Sequence, residues 1–127
     1  MFKRTFLRLA LAAGAMLIAA PTAFAHAHPV TMTPAKDSTV TAPTQISVFF
    51  SEELEPKFST LELQDSMGMV VSKATAVLDP KNAKHLTLAL PTLAPGVYTV
   101  NWVSVATDGH RMPGKYSFTV TADPAKH

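Results

Sequence analysis

The stretch that decides the fold is Leu93-Ala94-Pro95-Gly96-Val97-Tyr98-Thr99-Val100-Asn101-Trp102. Pro95 and Gly96 suit the two central positions of a type II turn, because proline fixes φ and glycine accepts a positive φ. Beyond the turn, large side chains recur at every second position: Tyr98, Val100 and Trp102. A period of two places them on one face of a β-strand. The segment therefore predicts a turn that leads into a half-buried strand.

The same alternation recurs on both sides of this segment. Four further runs carry apolar side chains at every second position: Ile46, Val48 and Phe50; Leu61 and Leu63; Leu86, Leu88 and Leu90; Tyr116, Phe118 and Val120. Proline and glycine interrupt the chain between the runs, and no convincing helical period is present. Short strands separated this often predict an all-β fold, an antiparallel β-sandwich.

The first 25 residues have the pattern of a secretory signal peptide. A basic start precedes an apolar run over residues 9–20, and the small residues of Ala23-Phe24-Ala25 match a cleavage site. The apolar run is too short for a stable membrane anchor. We expect cleavage after Ala25, so that residues 1–25 are removed and the mature chain begins at His26.

The composition of the mature chain excludes several classes of function. Three of the 11 Lys and Arg residues and none of the nine Asp and Glu residues lie in residues 1–25, so residues 26–127 carry a net charge of −1 with histidine neutral. Without a basic surface, nucleic-acid binding is not expected. Cysteine is absent, which excludes thiolate chemistry and disulfides. We expect residues 26–127 to form a single domain held by its apolar core.

A histidine at a free N-terminus can chelate a metal ion. The α-amine and Nδ1 of His26 close a ring on one cation, and neutral nitrogen ligands favour Cu(II) among the common divalent ions. His28 offers a competing arrangement, in which the amine, two deprotonated backbone amides and the His28 imidazole wrap copper or nickel without a folded domain. Both arrangements need cleavage directly before His26.

A second group of ligating side chains follows the Trp102 strand. Asp108-Gly109-His110 is predicted to form a loop between two strands, in which Gly109 allows a carboxylate and an imidazole two positions apart to face one ion. The same tripeptide is common in ordinary surface turns. Its significance as a metal site therefore depends on the N-terminal histidine.

Seven segments, taken in order, extend this pattern over nearly all of the mature chain. They are His26-Ala27-His28, Thr33-Pro34-Ala35, Asp37-Ser38, Phe50-Ser51-Glu52-Glu53-Leu54, residues 93–105, Asp108-Gly109-His110 and Gly114-Lys115-Tyr116-Ser117-Phe118. In order and spacing the chain resembles the CopC family of periplasmic copper-resistance proteins.

The resemblance implies a cupredoxin-like or immunoglobulin-like β-barrel that holds one Cu(II) ion per chain. By motif match, His26 supplies its amine and imidazole, His110 a second imidazole and Asp108 a carboxylate. Glu52 matches an acidic residue near the family's copper, either as a ligand or as a group that contacts a ligand. Three nitrogens and one oxygen suit Cu(II).

The resemblance also implies a location and a role. The protein would be a periplasmic monomer that carries or buffers copper in copper homeostasis or resistance, without enzymatic activity. Its partner would be an inner-membrane, CopD-like copper transporter.

The sequence also supports weaker predictions about the methionines and the remaining histidines. Family members with a second, Cu(I) site have a methionine-rich loop. Here the only methionines of residues 63–73 are Met67 and Met69. We therefore expect a Cu(II)-only protein in which these methionines are packing or exposed loop residues. His85 is expected to lie at an exposed edge, and Met112 to pack against the domain.

Two other classes of function stay open. An N-terminal histidine also begins the histidine-brace copper oxidases, although here the domain is small and a carboxylate takes a position that an oxygen-activating copper leaves open. No exposed aromatic plane for a sugar is evident either. A metal-free sandwich that binds protein is favoured if the signal peptide is cleaved anywhere other than before His26.

Overall fold

The computed structural model describes residues 26–122, so the predicted signal peptide and the last five residues, with His127, lie outside the described part. The described part contains eight β-strands and no helix. The strands are β1 (Pro29–Thr33), β2 (Thr39–Thr41), β3 (Gln45–Phe50), β4 (Thr60–Gln64), β5 (Val77–Asp79), β6 (Asn82–Ala89), β7 (Gly96–Val105) and β8 (Arg111–Thr121). Within residues 26–122 no helix of sufficient length and apolar character to cross a membrane is found.

The strands form two four-stranded sheets. One sheet has the order β1-β3-β6-β5 and the other the order β2-β8-β7-β4. All pairs are antiparallel except β2 and β8, which run parallel with Thr39 opposite Thr119. The expected sandwich is confirmed, with this one correction to a purely antiparallel arrangement. The chain crosses from β1 to the other sheet and meets the edge of β8 running in the same direction, where Thr119 N–H donates to Ser38 O at 2.8 Å.

The core lies between the two sheets and is built from the alternating residues of the sequence pattern. The fully or almost fully buried side chains include Ile46, Val48, Phe50, Leu61, Leu63, Leu86, Leu88, Tyr98, Val100, Trp102, Tyr116, Phe118 and Val120. Phe50 of one sheet contacts Trp102 of the other sheet. Their rings pack in an edge-to-face arrangement with centroids 5.7 Å apart. Burial of these apolar surfaces is the main stabilising contribution in a domain without disulfides.

The entry into β7 differs from the expected turn. Gly96 has a φ of 154° and already pairs with Val120, whereas a type II turn needs a φ near +80° at this position. The type II prediction is therefore wrong. Instead, the hydroxyl of Tyr98 donates to the carbonyl of Ala94 at 2.7 Å and closes the bend from within, as a tyrosine corner does in other sandwiches.

Strand direction decides which residues share an end of the sandwich. β3 ends at Phe50, β7 ends at Val105, and β8 begins at Arg111. The N-terminal residues 26–28 lie at this end too, because Ser51 N–H donates to His28 O at 2.9 Å. The fold thus brings the N-terminal segment and the loop between β7 and β8 to the same end.

Candidate metal centre

The N-terminal segment is attached to the core by a buried hydrogen bond. Ala27 is 2% exposed and belongs to the hydrophobic core. The hydroxyl of Ser104, which is fully buried in β7, donates to the carbonyl of Ala27 at 2.6 Å. A buried carbonyl needs such a partner, because an unsatisfied one costs about 1–3 kcal/mol. His26 therefore extends from a fixed point.

Ser51 holds the same segment from the other side. Its Oγ accepts the backbone N–H of His28 at 3.1 Å and lies 3.2 Å from the carbonyl of His26. Nδ1 of His28 lies 3.1 Å from that same carbonyl and 3.2 Å from Ser51 Oγ. The backbone and the near ring nitrogen of His28 are thus both engaged with protein atoms.

The Asp108-Gly109-His110 loop is a tight turn, as predicted. Gly109 has a φ of 93°, a conformation that residues with a Cβ rarely adopt, and its N–H donates to Ala106 O at 2.8 Å. Ala106 N–H donates to His110 O at 3.0 Å, and His110 N–H donates to Asp108 Oδ1 at 3.0 Å. This network places the carboxylate and the imidazole on the same side of the turn.

The two histidines predicted to bind the metal lie next to each other. The rings of His26 and His110 have centroids 5.7 Å apart and are inclined at 74°. Asp108 Oδ2 lies 3.0 Å from His110 Nδ1. The His110 backbone N–H, followed by the His110 side chain, holds the pKa of Asp108 below its usual value. Asp108 therefore stays a carboxylate at neutral pH.

The contact with Asp108 gives His110 a defined orientation. When the carboxylate accepts a proton donated by Nδ1, the lone pair of the neutral imidazole lies on Nε2. Carboxylate–histidine pairs of this kind orient metal-binding imidazoles in many proteins. In this geometry Asp108 is a partner of His110, and it becomes a direct ligand only by turning away from that ring.

A complete ligand set is not preassembled. Among residues 26–122 no group of three or more His, Cys, Asp or Glu side chains is arranged to hold a metal ion. The predicted α-amine ligand is a further donor that arises only on cleavage before His26, and the carboxylate of Asp108 is turned towards His110. Two adjoining imidazoles with a carboxylate are nevertheless a nitrogen and oxygen donor set that fits Cu(II).

Glu52 follows Ser51 directly and is half-buried at the same end of the sandwich. It joins no cluster of three candidate ligands among the described residues. Its assignment as a ligand or as a contact of a ligand stays a prediction.

The two methionines of the β4–β5 connection lie in solvent. Met67 is 85% exposed and Met69 64% exposed. The carboxylate of Asp65 accepts both of their backbone N–H groups at 2.9 Å, which shapes the loop. Met112, by contrast, is half-buried and packs against the core as expected.

His85 is not the exposed edge residue that the sequence suggested. Its strand β6 lies inside the sheet between β3 and β5. Its ring stacks on Phe49 at a centroid distance of 4.0 Å, and Nε2 lies 2.7 Å from Ser47 Oγ. The prediction failed because an unrecognised strand, β5, covers that edge.

Ser51 and Ser104 were missed as functional residues by the sequence reasoning. A signal was present for Ser104, because it continues the inward-facing register of Tyr98, Val100 and Trp102 with a polar side chain. A hydroxyl at a core position needs a hydrogen-bond partner, and that partner is the N-terminal segment.

Comparisons with known proteins show which family the chain is similar to. A family model described as the CopC domain matches residues 29–121. The chain is 36% identical over 116 residues to protein YobA of Escherichia coli K12, which covers 90% of this chain and 94% of YobA. It is 34% identical over 119 residues to copper resistance protein C of Escherichia coli, covering 87% and 93% of the two chains.

A solved structure gives the same result for the fold. The crystal structure of CopC from Methylosinus trichosporium OB3b superposes with a TM-score of 0.73 at 34% identity. The match covers 76% of this chain and 95% of that protein.

Proposed function

The chain belongs to the CopC family, and from this membership we propose that the exported, mature protein is a carrier or buffer that holds one Cu(II) ion. The ion binds between the amine and imidazole of His26 and the imidazole of His110. Asp108 supplies a carboxylate that offsets part of the charge, either by direct ligation or through His110. Glu52 follows Ser51, which holds the N-terminal segment, and is the further candidate ligand.

The observation that carries the proposal is the contact between the rings of His26 and His110. These residues come from the start of the mature chain and from the β7–β8 loop, and only the fold brings them together. A terminal peptide chelate needs no such convergence. The buried anchor at Ala27 therefore supports a folded site over a peptide-like one.

The exposed position of the candidate site suits a carrier. His26 and His110 lie at an exposed end of the sandwich. A cavity lined in part by Ala42, Leu90 and Leu93 opens at the opposite end of the strands. An ion held at an exposed end is accessible to a second protein, which suits transfer to an inner-membrane, CopD-like transporter in the periplasm.

The test is electron paramagnetic resonance of the Cu(II)-loaded mature protein, residues 26–127, beside His110→Ala and His28→Ala variants. We expect His110→Ala to change the spectrum and to weaken binding in a chelator competition, and His28→Ala to leave both nearly unchanged. Loss of the native spectrum only in His28→Ala would mean a terminal peptide chelate, and would overturn the proposal.

A chain with one extra residue before His26 provides a second, independent variant. The extra residue converts the α-amine into an amide and removes one member of the chelate ring. We expect a large loss of Cu(II) affinity, and no loss when the residue is added after His127 instead. Equal affinity in both extended chains would show that the amine is not a ligand.

A further inference from the structure

Among residues 26–122, the buried residues with small polar side chains are Ser59 and Ser104, and they have different partners. Ser59 bonds within the end of β7, where its Oγ accepts the N–H of Val105 at 3.0 Å. Ser104 bonds outwards from β7 to the carbonyl of Ala27 at 2.6 Å. One buried serine thus supports the sandwich, and the other fixes the N-terminal segment that carries His26.

We propose that Ser104 and Ser51 are positioning residues that select between the two copper chelates available to the N-terminus. They favour the His26–His110 site and exclude the terminal peptide chelate through His28. The inference rests on the proposed copper-binding function and adds the device that decides which donors are used.

The peptide chelate makes demands on the backbone that these serines oppose. It requires the amide nitrogens of Ala27 and His28 to lose their protons and to turn towards one ion together with Nδ1 of His28. In the fold, the N–H of His28 is donated to Ser51 Oγ and the carbonyl of Ala27 is held by Ser104 in the core. Forming the peptide chelate therefore requires the bond from His28 N–H to Ser51 to break, and the bond from Ser104 opposes the backbone turn because it holds the adjoining carbonyl in the core.

The ring of His28 is constrained in the same way. Its Nδ1 lies within hydrogen-bond distance of the carbonyl of His26 and of Ser51 Oγ. The peptide chelate needs this nitrogen to face the ion, so these contacts must be released before His28 can ligate copper. The folded segment thus engages this nitrogen with protein atoms.

The experiment compares Ser104→Ala, Ser51→Ala and Ser59→Ala in the mature protein. Ser59→Ala is the matched control, since it removes an equally buried hydroxyl that does not contact the N-terminal segment. In the metal-free protein, amide hydrogen exchange at His28 is expected to accelerate about tenfold or more in the first two variants. Ser51→Ala removes the acceptor of this N–H, and Ser104→Ala removes the bond that holds the same peptide group. Exchange at the His28 amide in Ser59→Ala is expected to match the parent protein.

The copper-loaded variants supply the second readout. With Ser104→Ala and Ser51→Ala we expect the Cu(II) resonance to shift towards a four-nitrogen peptide spectrum, which an added His28→Ala substitution then removes. Unchanged exchange and an unchanged spectrum in both variants would overturn the inference. So would equal changes in Ser59→Ala, which would indicate a general loss of stability.

Two features keep the outcomes separate. Ser51 is only half-buried, so Ser51→Ala decides the question even if Ser104→Ala fails to fold. A parent spectrum that is insensitive to His110→Ala refutes the proposed function itself. A His110-dependent parent spectrum that neither serine variant alters refutes only the positioning role.

Discussion

Tyr116 and Tyr98 are both buried in the core, but their hydroxyl groups differ in hydrogen bonding. Tyr98 donates to the carbonyl of Ala94, whereas the hydroxyl of Tyr116 has no hydrogen-bond partner among residues 26–122. We expect Tyr98→Phe to lower the free energy of unfolding by about 1 kcal/mol. Tyr116→Phe should leave it unchanged or raise it, because no bond is lost. Urea denaturation of both variants checks this, and a greater loss in Tyr116→Phe would contradict it.

The same tyrosine predicts how stability depends on pH. Burial raises the pKa of Tyr116 above its usual value. The folded state therefore keeps the proton while the unfolded state releases it near pH 10, so this contribution is fully present below about pH 10 and is lost as the pH rises above it. We expect the alkaline decrease in melting temperature to be smaller in Tyr116→Phe than in the parent protein.

Single residues also explain which part of the site was predictable. The sequence indicates the candidate ligands His26, Asp108 and His110, because these side chains can bind metal and lie at a predicted terminus and in a predicted turn. The hydrogen bonds from Ser51 and Ser104 were not predictable, because serine is common and its partners are set only by the folded N-terminal segment.

At the scale of the element, β8 is constrained by its neighbour. A Cβ built on Gly114 would overlap the six-membered ring of Trp102, which lies opposite it on β7. We expect Gly114→Ala to destabilise the domain by about 1–3 kcal/mol, since the indole must move within a packed core. Lys115→Ala, at the exposed neighbouring position, should change stability by less than about 0.5 kcal/mol.

Thermal denaturation followed by fluorescence is a direct measurement, because Trp102 is the sole tryptophan of the chain. A shifted emission maximum in native Gly114→Ala would report the displaced ring. If the variant has the stability and the emission maximum of the parent protein, β7 and β8 accommodate the added methyl group without loss of stability, and the prediction is wrong.

Strands differ in how clearly the sequence marks them. β3, β4, β6, β7 and β8 each bury one face, so alternation reveals them. β1, β2 and β5 are short and contain no residue of the fully buried class. Their backbone pairing with longer neighbours defines them, and a pattern of side chains does not encode that pairing. The parallel contact of β2 with β8 was missed for the same reason.

Across the whole molecule, copper affinity should depend on pH through the nitrogen donors. The pKa values of imidazole and α-amino groups are ordinarily about 6.5 and about 7.8, and only their unprotonated forms ligate. We expect affinity to rise between about pH 5 and pH 8. Asp108, whose pKa is lowered, is already ionised across this range and contributes little to the slope. Chelator competition at several pH values tests this, and a flat profile would contradict nitrogen ligation.

The course of β8 has a practical consequence for handling this protein. The strand begins at Arg111 beside the candidate metal end and runs for 11 residues to Thr121 at the other end. At about 3.3 Å per residue, its two ends are separated by on the order of 35 Å. A surface, purification tag or fused domain joined after β8 would therefore leave the histidines facing outward, whereas the same attachment directly before His26 would consume the amine that the proposed chelate uses.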